Sequence, residues 1–137
     1  MAGVRCLPYR TGVALHTGLS ARVDIIVTEA DTAVSLRSGD VPVLATPRLV
    51  ALCEEATCRA IDGQLPEGIT SVAKRVQFDH LVPVGIGGEV TAEATLDRIE
   101  GRRLTFTVSV TDGSGLVGAG KVSRVTVDRS AFLAHAR

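Results

Sequence analysis

Few side chains in this sequence are able to do chemistry, so their types and spacing carry weight. Glu54 and Glu55 are adjacent, Thr46 stands eight residues before Glu54, and His80 lies on a later segment. On a helical wheel Glu54 falls at the border of an apolar face, beside Val50 and Ile61. A carboxylate partly withdrawn from water there is a stronger base, because desolvation disfavours its charged form. Glu55 sits instead among Arg48, Arg59 and Asp62, an i,i+4 partner of Arg59 on a solvated face. Thr46 is placed to cap a helix. The same hydroxyl, with the N–H groups of Arg48 and Leu49, would make a donor cluster at the positive end of that helix, suited to a developing oxyanion. His80 is expected on the strand face that carries Val72, Val76 and Phe78, as a satisfied core residue or as a general base.

Other candidates fall away. His16 and His135 lie in loop or terminal segments, and three scattered histidines without Cys or carboxylate at ligand spacing predict no metal site. Gly113 to Gly118 fits GxGxxG, but it joins two strands and opens no helix, so the dinucleotide reading fails. Ser114 and Ser123 lack a motif that would mark a nucleophile.

The elements that must position these residues can be read from periodicity. Val23, Ile25 and Val27 alternate with Arg22, Asp24 and Ile26, a first strand beginning near Ala21. Thr28 to Val43 is polar and turn-rich and reads as a loop. Thr46 and Pro47 open a helix predicted to run to about Asp62 and stop at Gly63. Its apolar face holds Leu49, Val50, Leu52, Cys53, Ala56, Thr57 and Ala60. Alternation then returns in four strands: Ile69 to Leu81, Val90 to Ile99, one centred on Leu104 to Val110, and Leu116 to Val127. Turns are expected at Glu100–Arg102 and Asp112–Gly115. Gly118, Ala119 and Gly120 mark a bulge or a close backbone approach. The order is α+β, an antiparallel five-stranded sheet wrapped around one central helix. A lone helix covers such a sheet poorly, so dimerisation through a strand edge is expected. Residues 1–17 read as an N-terminal arm, 18–128 as the domain and 129–137 as a tail with a short helix.

Composition sets the limits. The chain has 137 residues, 45% hydrophobic, with fifteen Lys+Arg balancing fifteen Asp+Glu. Zero net charge argues against a nucleic-acid or anionic-membrane partner. With 3% aromatic residues and no Trp, base-stacking platforms are excluded and the core must be aliphatic. Cys6, Cys53 and Cys58 are odd in number and form no CxxC pair, and no signal peptide or membrane-spanning run is evident, so a cytoplasmic setting is expected.

The stretch from Val43 through Thr46 and Glu54 to Ala56, followed by Val76-Gln-Phe-Asp-His80-Leu, resembles the fluoroacetyl-CoA thioesterase-like family of hotdog proteins. The likeness continues through Glu100-Gly-Arg-Arg-Leu-Thr-Phe and Gly118-Ala-Gly-Lys-Val-Ser-Arg124, covering about residues 43–127 without gaps. It implies a dimeric hotdog fold and hydrolysis of an acyl-CoA thioester, with coenzyme A as part of the substrate and no further cofactor. It implies Thr46, Glu54 and His80 as the catalytic set. Glu54 would attack the thioester or activate water, Thr46 would position Glu54 or the attacking species, and His80 would serve as base for the hydrolytic water. Arg124 matches a family arginine near the acyl end, Ala73 replaces a Gly of the halogen-recognition region, and Phe78 joins them as a substrate-binding residue. Fluoroacetyl specialists carry a longer, Phe-bearing lid where Ala33 to Val43 here has no aromatic residue, which implies a different short or small acyl group. Lys74, Arg102, Arg103 and Lys121 are candidates for the CoA phosphates. The rival readings are a non-catalytic acyl-CoA-binding module and an enoyl-CoA hydratase or dehydratase.

Overall fold

The structure, a computed structural model, describes residues 15–137. Of the expected N-terminal arm only residues 15–17 fall in that range; the rest, with Cys6, lies outside the described residues. The chain runs β1 (Ser20–Ile26), a 3-10 turn (Glu29–Asp31), α1 (Ala33–Leu36), α2 (Thr46–Ala60), β2 (Ile69–His80), β3 (Glu89–Glu100), β4 (Arg103–Asp112), β5 (Gly115–Asp128) and α3 (Arg129–Ala134). The five strands form one antiparallel sheet in the order β1-β3-β4-β5-β2. The sheet curls around α2 in the hotdog arrangement.

The aliphatic core explains where the helix lies. Leu49, Leu52, Cys53, Ala56, Thr57 and Ala60 are its buried positions, at the helical spacing that keeps them on one face. They meet the buried alternate residues of β3 and β4, Val90 to Leu96 and Leu104 to Val110. Ala92 and Ala94 are small enough to let α2 approach closely, and the helix packs chiefly on β1 and β3. It touches β2 and β5 much less, so the helix-facing side of the edge strand β2 stays partly open, while on β5 Val122 and Arg124 are buried. Val76, on that side, is 36% exposed.

Three local readings are corrected. The segment Thr28–Val43 is not all loop. Asp31 accepts the Thr28 N–H at 2.8 Å, and Thr32 accepts from the Ser35 N–H at 3.3 Å, so two short helical turns form where side chains satisfy the backbone ends. Helix α2 ends at Ala60, with Ile61 as its C-cap and Gly63 beyond it at φ 75°. Finally, the pairing of β2 with β5 shifts between Ala73 and Arg75. That bulge at Lys74 reverses the alternation. Only Val76, Phe78 and His80 share the helix-facing side; Val72, paired with Val125, faces outward, and Ser71 and Ala73 turn inward in its place.

The small residues of β5 have a steric reason. A Cβ on Gly118 would lie 2.6 Å from the Phe78 ring, and one on Gly120 would collide with the Gln77 carbonyl. The glycines form the floor on which Phe78 lies.

Candidate active site

Thr46 does not cap α2 with its side chain. Ala45 is the N-cap, and no side chain closes that end. Thr46 is the first helical residue, and its hydroxyl is left for another partner. That partner is His80, with Oγ1 to Nδ1 at 2.8 Å. The other ring nitrogen, Nε2, lies 3.0 Å from the Val82 carbonyl oxygen. A carbonyl only accepts, so Nε2 carries the proton; in the neutral ring Nδ1 is then the acceptor and the Thr46 hydroxyl donates to it. The imidazole is held with its basic nitrogen on the threonine oxygen, the orientation a general base needs.

The end of α2 adds donors. Leu49 spends its N–H on the Ala45 carbonyl at 3.0 Å, and Pro47 has none, so the pairing of Arg48 with Leu49 expected from the sequence is corrected. Intrahelical geometry leaves the N–H groups of Thr46 and Arg48 unpaired, beside the dipole's positive end.

Thr46 and His80 open into a cleft of about 350 Å³ whose walls include Val41, Val43, Leu44 and Val82. Its outer wall, Ala33–Val43, is anchored at its base. Arg48 Nε donates to Asp31 Oδ1 at 2.9 Å, and the Ala45 N–H donates to the Asp31 carbonyl. Burial alone would raise the Asp31 pKa, but the Thr28 N–H, the Arg48 guanidinium and the Thr28 hydroxyl outweigh it and hold the carboxyl below its ordinary 3.8.

Glu54 is half-buried on α2, as its border position predicts. It is eight residues beyond Thr46, about 12 Å along the axis at 1.5 Å per residue. Among the described residues its carboxylate makes no hydrogen bond or ion pair. Within one chain Thr46 and His80 come together and Glu54 stays apart, with no hydrogen bond between Thr46 and Glu54.

Arg124 is 6% exposed and lies opposite Ala73. Its Nε donates to Ser71 Oγ at 2.8 Å, Nη2 to the Ser71 carbonyl at 3.0 Å and Nη1 to Thr57 Oγ1 at 3.3 Å. Thr57 and Ser71 were not singled out from the sequence as functional. Thr57 reads as one more core position of the helix, and the bulge hides the direction of Ser71. Phe78 lies on the open inner face between Ala73 and His80. Of the candidate phosphate cations, Lys121 is engaged on the outer face with Asp97 at 3.9 Å. Burial, and next the charge of Glu54, push the Cys53 thiol up to about 12, which removes it as a nucleophile. Among the described residues no three His, Cys, Asp or Glu side chains converge to hold a metal ion. No helix among them is long and apolar enough to cross a membrane.

A family model described as fluoroacetyl-CoA-specific thioesterase matches residues 27–130. The fluoroacetyl-CoA thioesterase of Streptantibioticus cattleyicolor is 35% identical over 95 residues, which is 69% of this chain and 68% of that protein. A solved structure of the fluoroacetyl-CoA thioesterase FlK has a TM-score of 0.82 at 29% identity, covering 88% of this chain and 93% of its own. A hot-dog-like protein from Thermanaerovibrio acidaminovorans has a TM-score of 0.82 at 29% identity, covering 88% and 90%. The family model spans the central helix and strands β2 to β5, and the chain belongs to the fluoroacetyl-CoA-specific thioesterase family of hotdog proteins.

Proposed function

We propose that this protein hydrolyses a small acyl-CoA to the free acid and coenzyme A, with a Thr46–Glu54–His80 set assembled across a homodimer. The reaction class, hydrolysis of an acyl-CoA thioester, follows from the family. The observation that carries the catalytic reading is the Thr46–His80 hydrogen bond, with the tautomer of His80 fixed by the Val82 carbonyl.

The distribution of the remaining groups supports a dimer. Ala73 and His80 are separated by seven residues of strand, roughly 20 Å at 3.3 Å per residue. Glu54 lies one helical turn from Thr57, the partner of Arg124. One protomer thus holds two half-sites: Thr46, His80 and the cleft at one end of β2, and Glu54, Ala73 and Arg124 towards the other. Strand β2 is a twelve-residue edge strand with an uncovered inner face, an edge that invites pairing. Antiparallel pairing of β2 with its copy, about a two-fold axis at Gln77 and with the bulged Lys74 left out of the register, sets Ala73 of each chain opposite His80 of the other. Each complete site then takes Thr46 and His80 from one chain and Glu54 from the other.

In that site the thioester carbonyl lies at the end of α2, where the Thr46 and Arg48 N–H groups and the helix dipole stabilise the oxyanion. In the direct route Glu54 deprotonates the attacking water, which the Thr46 hydroxyl orients from its hydrogen bond to His80. The tetrahedral intermediate expels CoA as its thiolate, and the proton on Glu54 passes to it. In the covalent route the Glu54 carboxylate attacks the thioester and expels the CoA thiolate. The Thr46 hydroxyl then relays a proton from water to His80 Nδ1, the hydroxide opens the acyl–Glu54 anhydride to free acid and carboxylate, and His80 gives its proton to the thiolate. The aliphatic walls at Val41, Val43 and Val82 favour a short acyl group, with Phe78, Ala73 and Arg124 at its far end.

Incubation with a panel of acyl-CoAs, following free thiol, tests this reading. Turnover of several short acyl groups, lowered about a thousandfold but still measurable in E54Q and H80A, is expected. Binding without thiol release supports a non-catalytic module, and enoyl absorbance changing without thiol release supports a hydratase; either overturns the proposal.

A further inference from the structure

The face that α2 buries is aliphatic except at one place. Thr57 is fully buried among Leu52, Cys53, Ala56 and Ala60, and its hydroxyl donates to the Glu54 carbonyl at 2.6 Å. The same oxygen accepts from Arg124 Nη1 at 3.3 Å. Arg124 in turn grips Ser71 through Nε and Nη2, and it forms no ion pair among the described residues. A buried guanidinium held only by neutral groups is costly, and an apolar pair of similar volume is often more stable. Retaining such a group against the local rule points to a role beyond stability.

Its connections indicate that role. Helix α2 rests on β1 and β3 and has little contact with β2 and β5. The Ser71–Arg124–Thr57 chain spans that gap and ends on the backbone of Glu54. On β2 it begins two residues from Ala73, on the same inner face. It therefore fixes the turn bearing Glu54 relative to the strand that lines the acyl end. From this geometry we propose that Thr57 is a positioning residue for Glu54, acting as the hydroxyl link between the helix and Arg124. The inference rests on the catalytic reading of Glu54 given above. Valine keeps the shape of Thr57 but removes both its donor and its acceptor; serine keeps both.

The test is a double-mutant cycle on steady-state hydrolysis of the best short acyl-CoA. T57V is expected to lower kcat about tenfold with KM within twofold, and T57S to restore kcat to within about twofold. In the E54Q background T57V is expected to cause no further loss, because the group it positions is gone. An equal loss in both backgrounds means a general structural effect and overturns the proposal, as does T57V at the wild-type kcat or T57S as impaired as T57V. E54Q at the wild-type rate overturns the catalytic reading of Glu54 and this inference with it, a result distinct from E54Q slow with T57V additive. If T57V does not fold, S71A breaks the opposite end of the chain and carries the same cycle.

Discussion

At the scale of single residues, Thr46 shows how a helix end and a proposed catalytic group can coincide. Its type and its spacing from Glu54 and His80 were legible in the sequence, but its partner was not. Periodicity locates a helix start only to within a residue or so, and one residue decides whether the hydroxyl caps the helix or is free. With Ala45 at the cap, the hydroxyl belongs to His80. T46V removes the hydroxyl at constant shape, and its kcat should fall by about a hundredfold, with H80A costing about a thousandfold. T46S should retain most of the activity. These ratios are read from kcat and KM on one acyl-CoA, with circular dichroism confirming folding. The cysteines give a second test. Cys53 is buried, with its thiol pushed up to about 12, while Cys58 is exposed. Iodoacetamide at neutral pH should label Cys58 readily and Cys53 only after unfolding, as peptide mapping by mass spectrometry will show.

Among the elements, the outcome of the sequence reading depended on whether alternation was continuous. Strands β1, β3 and β4 alternate without interruption through their buried stretches, and their extents fall close to the expected ones. Strand β2 was misread in its first half because one bulged residue, Lys74, reverses the faces without any Gly or Pro to announce it. The segment before α2 was read as loop because its turns depend on side-chain caps too short to show a period. Those caps have an energetic consequence. The Asp31–Arg48 pair is mostly buried at 14% and 28% side-chain exposure, so D31N should destabilise the fold by about 2 kcal/mol. Because the Asp31 pKa is lowered in the folded state, that stabilisation is complete above the unfolded value and is lost as pH falls through the folded one. The gap in melting temperature between wild type and D31N should be constant above about pH 4 and close below it. Acyl-CoA hydrolysis should weaken in D31N as well, since the pair anchors the wall of the cleft. In β5, G120A forces a methyl group onto the Gln77 carbonyl. It should lower the melting temperature more than alanine at Gly113, which has open space around its Cα.

On the scale of the whole molecule, a chain of 137 residues with zero net charge accounts for one sheet and one long helix but not for a closed active site. The sequence indicated the fold class and an uncovered sheet. It could not indicate that the candidate groups fall into two half-sites, since that follows from distances along β2 and α2. If β2 pairs with its copy, the protein should elute at twice its chain mass with multi-angle light scattering. V76D, which places a charge at the uncovered centre of that strand, should shift it to monomer and abolish hydrolysis together. The central claim, a site shared between two chains, is tested most directly by complementation. E54Q and H80A are each expected to keep only about a thousandth of the wild-type kcat as homodimers. In a mixed dimer one site combines both defects, while the other joins the intact Glu54 of the H80A chain to the intact His80 of the E54Q chain. After refolding together in equal amounts, half of the dimers are mixed, and about a quarter of the wild-type kcat per chain should return. A mixture no more active than its two parents would show that each chain works alone and would contradict the account.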